Sequence, residues 1–193
     1  QFQANAFFMQ FENEIAPIGA FIPEGFVQIY ENQESSRRYG VELDYQWSLT
    51  DQWVLQGQAS WMQAQISQYY DRNLDMTLQN VTPILSPEWN LTQSLQYKIT
   101  GGLLLGAQLR YLSEQFMELT NSDELTVTSS FVVDTYLHLQ ATDHIHLQFQ
   151  FNNVFDELYY TYGVPVTGAT GQTEPGYFVQ PPRHIYATAT LTF

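Results

Sequence analysis

Apolar and polar residues alternate along most of this chain with a period of two. From 39 to 49 the odd positions read Tyr39, Val41, Leu43, Tyr45, Trp47 and Leu49, while Gly40, Glu42, Asp44, Gln46 and Ser48 occupy the even ones. The same split recurs with Trp53, Leu55, Gly57, Ala59 and Trp61 against Gln56, Gln58 and Ser60, then with Trp89, Leu91, Leu95 and Tyr97. Further on it continues with Leu103, Leu105, Ala107, Leu109 and Tyr111, and with Ile145, Leu147, Phe149 and Phe151 against His144, His146, Gln148, Gln150 and Asn152. Period-2 alternation places one set on each face of a pleated strand. It predicts eight strands, at 2 to 14, 26 to 49, 53 to 67, 87 to 99, 103 to 118, 126 to 141, 145 to 155 and 183 to 193. The connections at 50 to 52, 100 to 102 and 142 to 144 are short. Those at 15 to 25, 68 to 86 and 156 to 182 are long, and 119 to 125 is intermediate. Short turns on one rim and long loops on the other are the arrangement of an outer-membrane barrel.

Paired residues must share a face, so alternation also fixes register. A two-residue loop at Thr142-Asp143 would pair Leu139 with His146 and mix the faces. Three-residue loops avoid this, pairing Leu49 with Trp53, Ile99 with Leu103 and Ala141 with Ile145; Gly101-Gly102 supplies the left-handed residue such loops favour. On the apolar face Tyr39 and Trp47, Trp53 and Trp61, and Trp89 and Tyr97 are each eight apart. Eight residues span roughly 26 Å along a strand, or about 20 Å vertically at the usual tilt, close to the spacing of two aromatic girdles. Beyond the upper aromatic this face turns polar, as at Arg37, Ser35 and Gln33, at Gln63, Gln65 and Ser67, and at Ser113 and Gln115. Trp47, Trp53, Trp61, Trp89, Leu105 and Phe149 are therefore expected outward, and Gln56, Gln148, Asp134 and Arg110 inward. A soluble sandwich also alternates but has no reason to repeat this aromatic spacing.

Composition narrows the options. No window approaches the ~18 consecutive apolar residues of a membrane helix. The net charge of −14, with six basic residues, argues against nucleic acid as a partner. With no cysteine there is neither a disulfide framework nor thiolate chemistry. The start at Gln1, without Met, is read as truncated or processed.

Phe151-Asn152-Asn153-Val154-Phe155-Asp156, then Tyr159 and Tyr160, a long loop, and Pro182-Arg183-His184-Ile185-Tyr186 running to Phe193 resemble the end of a TonB-dependent outer-membrane receptor. Ser36 to Leu43 resembles that family's glycine-x-glutamate segment, and Pro87 to Tyr97 its proline-led strand. The resemblance implies the last eight strands of a barrel of about 22 strands, with the plug and the TonB-engaging motif outside this chain. It further implies import of a scarce ligand, typically an iron-siderophore complex; no enzymatic activity is expected, because the histidines with their Ser or Asp neighbours form no nucleophile–base arrangement the sequence can fix. The implied partners are outer-membrane lipid and lipopolysaccharide, the remaining strands and plug, the TonB complex and the barrel-assembly machinery. A self-contained eight-stranded barrel with a structural or adhesive role is the alternative. Small inward residues such as Gly40, Gly106, Ser48, Ser60 and Ser94 would plug such a barrel poorly, and the long strand at 26 to 49 also favours the larger one.

Candidate chemistry is sparse. His138 and His146 face inward, diagonal to each other at about 7 Å, with no third ligand evident; neither a metal nor another cofactor is expected. A turn shifted by one residue would instead pair them directly. Arg110, Glu42, Asp44 and Asp134 could meet a plug or line a ligand path. Arg37 could meet lipopolysaccharide phosphate. Asn80-Val81-Thr82 and Asn90-Leu91-Thr92 match a glycosylation acceptor that is meaningless in a bacterial barrel. Long loops on a rigid scaffold concentrate binding residues, which makes Tyr69, Tyr70, Tyr159, Tyr160, Tyr177 and Phe178 the ligand-loop candidates; aromatic packing between loops competes with that role. In the last strand Ile185, Leu191 and Phe193 resemble the C-terminal signal for barrel assembly.

Overall fold

The computed structural model describes residues 1–22, 27–72, 74–168 and 171–193, and these form strands without a helix. In chain order they are β1 (Phe2–Ile22), β2 (Val27–Ser48), β3 (Trp53–Asp71), β4 (Met76–Val81), β5 (Trp89–Thr100), β6 (Leu103–Leu112) and β7 (Gln115–Phe116). There follow β8 (Thr126–Val127), β9 (Ser130–Thr142), β10 (Ile145–Asn152), β11 (Tyr160–Thr167), β12 (Thr173–Val179) and β13 (His184–Leu191). One antiparallel sheet runs β1-β2-β3-β5-β6-β9-β10-β13, with β4 added to β3; β7-β8 and β11-β12 are separate hairpins. The eight expected wall strands are these eight, each paired with its sequence neighbour in the wall.

Register bears out the face assignment. A sideways walk from Trp47 meets Leu55, Leu95, Ala107, Thr135, Phe151 and Ile185. The adjacent row, Gln56, Ser94, Gln108 and Asp134, lies on the opposite face. Trp61 pairs with Trp89, Tyr97 with Leu105 and Leu137 with Phe149, so the outward six share one face; Gln148 shares the other with His138, as Arg110 does with Thr92. The apolar face is left bare: Trp47 is 65%, Leu105 45% and Phe149 43% exposed. The aromatic spacing resolves into two clusters. Trp53 stacks on Tyr97 at 4.3 Å near the tight turns, while Trp61 meets Tyr39 at 6.0 Å and Trp89 at 6.4 Å near the loops. Each such pair adds about 0.5–1.5 kcal/mol beyond its area.

Two hairpin tips depart from expectation. The Leu49–Trp53 closure holds, with the Leu49 N–H donating to the Trp53 carbonyl at 2.9 Å. Elsewhere the ladders keep the expected register, but Thr100 pairs with Leu103 and Thr142 with Ile145, each beside a register shift. Bulges absorb the odd residue, so the loops shorten without exchanging the faces. The long loop expected at 15 to 25 is also corrected: β1 and β2 pair out to Ile22 and Val27, and residues 23 to 26 of that connection lie outside the described residues. Likewise the strands expected at 103 to 118 and 145 to 155 end at Leu112 and Asn152.

Past the upper aromatic cluster the alternation inverts. Asn13 and Asn80 adopt left-handed conformations (φ 57° each) and drop out of their ladders. Beyond them, Ala16 (6% exposed) and Gln33 (3%) are buried, so Gln33 does not extend the outward polar run. Tyr69 and Leu78 turn onto a core of Ile66, Val81, Ile84 and Leu119. Leu85 joins this core to a second one, of Met117, Leu125 and Val127, against which Tyr160 and Tyr177 pack. The loop-bearing rim therefore carries its own interior, continuous with the polar face.

Cross-strand pairs set an aromatic over a glycine at Gly40–Phe7, Gly57–Tyr45 and Gly106–Tyr136. A Cβ on Gly106 would lie 2.2 Å from the Tyr136 ring, whereas one on Gly101 meets nothing within 4 Å. Gly106→Ala is expected to cost about 1–3 kcal/mol through displacement of Tyr136, and Gly101→Ala little. Thermal unfolding of the two variants, followed by circular dichroism, measures the difference.

Candidate functional site: the polar face and the loop-bearing rim

The polar face is lined mainly by neutral hydrogen-bonding groups. A groove of about 510 Å³ runs across it, bounded by Asp44, Gln46, Gln56, Gln58, Thr92 and Gln108. Nearer the loops Arg110 and Asp134 form an ion pair at 2.8 Å. Asp134 also accepts the backbone N–H of Asn153 at 2.8 Å, which ties the wall to the start of the last loop.

Asn153 is the knot of that loop. It is 2% exposed with φ 50°, a conformation Asn tolerates better than most residues. Its amide donates to the carbonyls of Glu157 (2.9 Å) and Pro181 (3.4 Å), and its oxygen accepts the Glu157 N–H at 2.9 Å. Asp156 accepts the Arg183 N–H at 2.9 Å and faces its guanidinium at 3.8 Å. Both ends of the loop are thus held against each other. Asn121 makes a comparable clamp between two other loops: its side chain accepts the Thr82 N–H at 2.7 Å and donates to the Thr82 carbonyl at 2.9 Å.

The rim encloses a cleft of about 390 Å³ bordered by Ile18, Tyr69, Asp71, Glu118, Pro165 and Thr173. Burial, then the nearby carboxylates of Asp71, Glu31 and Glu118, push the Tyr69 phenol up to about 12. It therefore stays a neutral hydrogen-bond donor at any physiological pH. At the tight-turn end His138 lies opposite Gln148, and His146 opposite Gln140, around a cleft shared with Lys98. The histidines are diagonal, as expected. Among the described residues no group of three or more His, Cys, Asp or Glu could hold a metal.

Residues 1–154 match the family model "TonB dependent receptor-like, beta-barrel". The chain belongs to the TonB-dependent receptor β-barrel family. No curated protein sequence matches it. Among solved structures it resembles the siderophore receptor PiuA from Acinetobacter baumannii (TM-score 0.73, 17% identity, 98% of this chain and 26% of that one). It also resembles the ferric yersiniabactin uptake receptor FyuA from Yersinia pestis (TM-score 0.74, 17% identity, 100% of this chain and 27% of that one). A third is the ferric-catecholate import receptor Fiu from E. coli K12 in its closed form (TM-score 0.68, 21% identity, 100% and 25%). The chain spans about a quarter of the length of these receptors.

In this TonB-dependent receptor barrel segment the six loop aromatics occupy different surroundings. Tyr69 is half-buried on the rim core, and Tyr159 is buried. Tyr160 and Tyr177 stack at 4.2 Å, and the Tyr177 hydroxyl donates to the Thr126 carbonyl at 3.0 Å. Tyr70 and Phe178 are about half exposed; Tyr70 donates to Asp75, and Phe178 leans on Tyr162 at 5.1 Å. Ile185 and Leu191 sit exposed on the apolar face, paired with Phe151 and Ile145, and Phe193 follows the last strand. The roles of Asn153 and Asn121 were not anticipated from sequence; the available signal was an Asn between strands, a common left-handed position. Asn153→Ala should speed proteolytic cleavage within 153–183 of the receptor by about tenfold or more, as the three hydrogen bonds of its side chain are lost, while the sheet resists digestion. Limited proteolysis with mass mapping checks this.

Proposed function

We propose that this chain is the C-terminal barrel portion of an outer-membrane receptor that imports a scarce ligand of the iron-siderophore class under TonB control. The observation that carries the proposal is the division of one sheet into two unlike faces. An apolar face with aromatic clusters at two heights suits a lipid bilayer, and the polar face, bordered at one rim by packed loops, suits a guarded passage. Membership of the family supports a transport role rather than catalysis, and the neighbouring structures described as siderophore receptors support this ligand class. The order of the sheet ends at β1 and β13 without joining them, which favours a wall completed by further strands over a self-contained eight-stranded barrel.

On this proposal the plug meets the groove around Gln56 and Gln108, TonB acts through the rest of the receptor, and lipid and lipopolysaccharide surround the apolar face. Tyr70 and Phe178, exposed above the rim, are the loop aromatics best placed to touch ligand; Tyr69 reaches it through the cleft, while Tyr159, Tyr160 and Tyr177 hold the loops in shape. The last strand serves assembly. Its outer edge would carry unpaired backbone groups into hydrocarbon, so it must find a partner strand before release. Ile185, Leu191 and Phe193 are the handle for that step.

In cells expressing the full-length receptor, Tyr70→Ala with Phe178→Ala should weaken ferric-siderophore binding by about tenfold, the usual effect of removing anchoring aromatics, at unchanged receptor abundance. TonB-dependent uptake of radiolabelled iron should fall in parallel. Unaltered binding by a panel of ferric siderophores would remove these two residues from the site, and absence of TonB-dependent uptake would refute the proposed function. Deletion of Phe193 should lower the amount of folded receptor without changing the affinity of what assembles. Normal assembly with weakened binding would assign Phe193 to the wrong role.

A further inference from the structure

The polar face changes character at its tight-turn end. Lys98, Leu104, His138, Gln148 and Thr188 form one cross-strand row, and Gln140, His146 and Thr190 form a row beside it. Both rows border a cleft of about 320 Å³. The groove nearer the middle of the face presents chiefly amides and hydroxyls, whereas a lysine and two imidazoles meet here. Adjacent strands lie about 4.8 Å apart, so the backbones of Lys98 and His138, separated by Leu104, are about 10 Å apart. A lysine stem and an imidazole can reach one bound group across that gap. His146 lies diagonal to His138, and the His138 ring rests against Tyr136 at 5.1 Å.

The charge of this cleft is not neutralised. Arg38, Arg72, Arg110 and Arg183 pair with Glu14, Glu31, Asp134 and Asp156. Among the described residues Lys98 enters no such ion pair, and no Asp or Glu lines the cleft. Asp51 and Asp143 stand exposed in the hairpin tips, and Asp134, further up β9, is engaged by Arg110. In a chain of net charge −14 this is a local reversal of sign. It also decides between two uses of the histidines. A metal ion would find two imidazoles, no carboxylate and a repelling ammonium. An anion is attracted by Lys98 and can accept an N–H from each ring.

We propose that the cleft at the tight-turn end of the polar face binds a small multivalent oxyanion, a polycarboxylate or a phosphate, with Lys98 as the charged anchor and His138 and His146 as hydrogen-bond donors. All three side chains are exposed, so the anion enters from the space in front of the polar face. Multivalence follows from the spacing. The donors stand in two rows, so a single carboxylate engages Lys98 and one ring, and a second charged group is needed to engage the other. Gln148, Thr188 and Thr190 border the same cleft and offer neutral hydrogen bonds to the remaining oxygens. The loop aromatics lie at the opposite rim and take no part.

The test footprints the histidines of the full-length protein in detergent micelles with diethyl pyrocarbonate, which modifies accessible imidazoles, and maps the products by mass spectrometry. Citrate or pyrophosphate should protect His138 and His146 and leave His184, near the loop-bearing end of the face, unprotected. Acetate at equal ionic strength should protect none of them. Protection by citrate alone assigns the site to carboxylates and by pyrophosphate alone to phosphates, and either upholds it. Lys98→Gln is expected to raise the half-protecting concentration about tenfold, the effect of losing a charge-assisted hydrogen bond, while Lys98→Arg keeps most of the protection. Protection by neither anion, equal protection by acetate or of His184, or indifference to Lys98→Gln would overturn the site. Histidines already unreactive before any anion is added would show the rest of the chain seated in the cleft, against the proposal. Protection by zinc alone that strengthens in Lys98→Gln would make it a metal site, likewise against it. Should Lys98→Gln fail to fold, the comparison of citrate and pyrophosphate with acetate on the wild type decides alone.

Discussion

Backbone pairing from β1 across to β13 constrains every other feature of this protein. Each pair of neighbours in the ladder must present its side chains to the same side, so eight strands with period-2 alternation make two continuous surfaces of opposite character. A slip of one residue in a single ladder would carry Trp61 or Trp89 into the glutamine rows and set Gln56 among the tryptophans. The penalty spans a whole strand at once. That is why the two-residue tips at Gly101-Gly102 and Asp143-His144 take bulges and leave the rows intact.

Where the constraint relaxes, the protein changes character. Asn13 and Asn80 turn the alternation over just beyond the upper aromatic cluster, and apolar side chains that would have continued outward are gathered inside the rim. Loops of this length would otherwise leave many backbone groups unpaired. Here Asn121 and Asn153 satisfy them in pairs, and Leu85 links the two small cores. The long-loop rim is consequently a packed structure carrying a few exposed aromatics. Side chains exposed on so firm a support have less conformational entropy left to lose.

The same division accounts for the electrostatics. Most cations are paired with carboxylates on the polar face or in loops, and the polar face otherwise presents amides and hydroxyls. A face lined by neutral donors and acceptors binds no single ion strongly. Against the excess of 20 acidic over six basic residues, an arginine beside a neutral amide on the opposite face is the exception.

Wherever the two-residue period persists, sequence alone determined the structure. The eight wall strands, their faces, the ladder registers, the aromatic clusters and the diagonal histidines all follow from alternation, because in a sheet the side-chain direction is a local property. The resemblance at Phe151 to Asp156 likewise indicated the family. Tertiary structure decided what depends on residues distant in the chain. That β1 and β2 continue to Ile22 and Val27, that Gln33 turns inward, and that Tyr160 stacks on Tyr177 depend on left-handed asparagines and on loops meeting one another. No period announces these. The break in pairing beside β3 is of the same kind: Pro83 and Pro87 are visible in the sequence, but the bonds from Asn121, some forty residues away, to Thr82 are not.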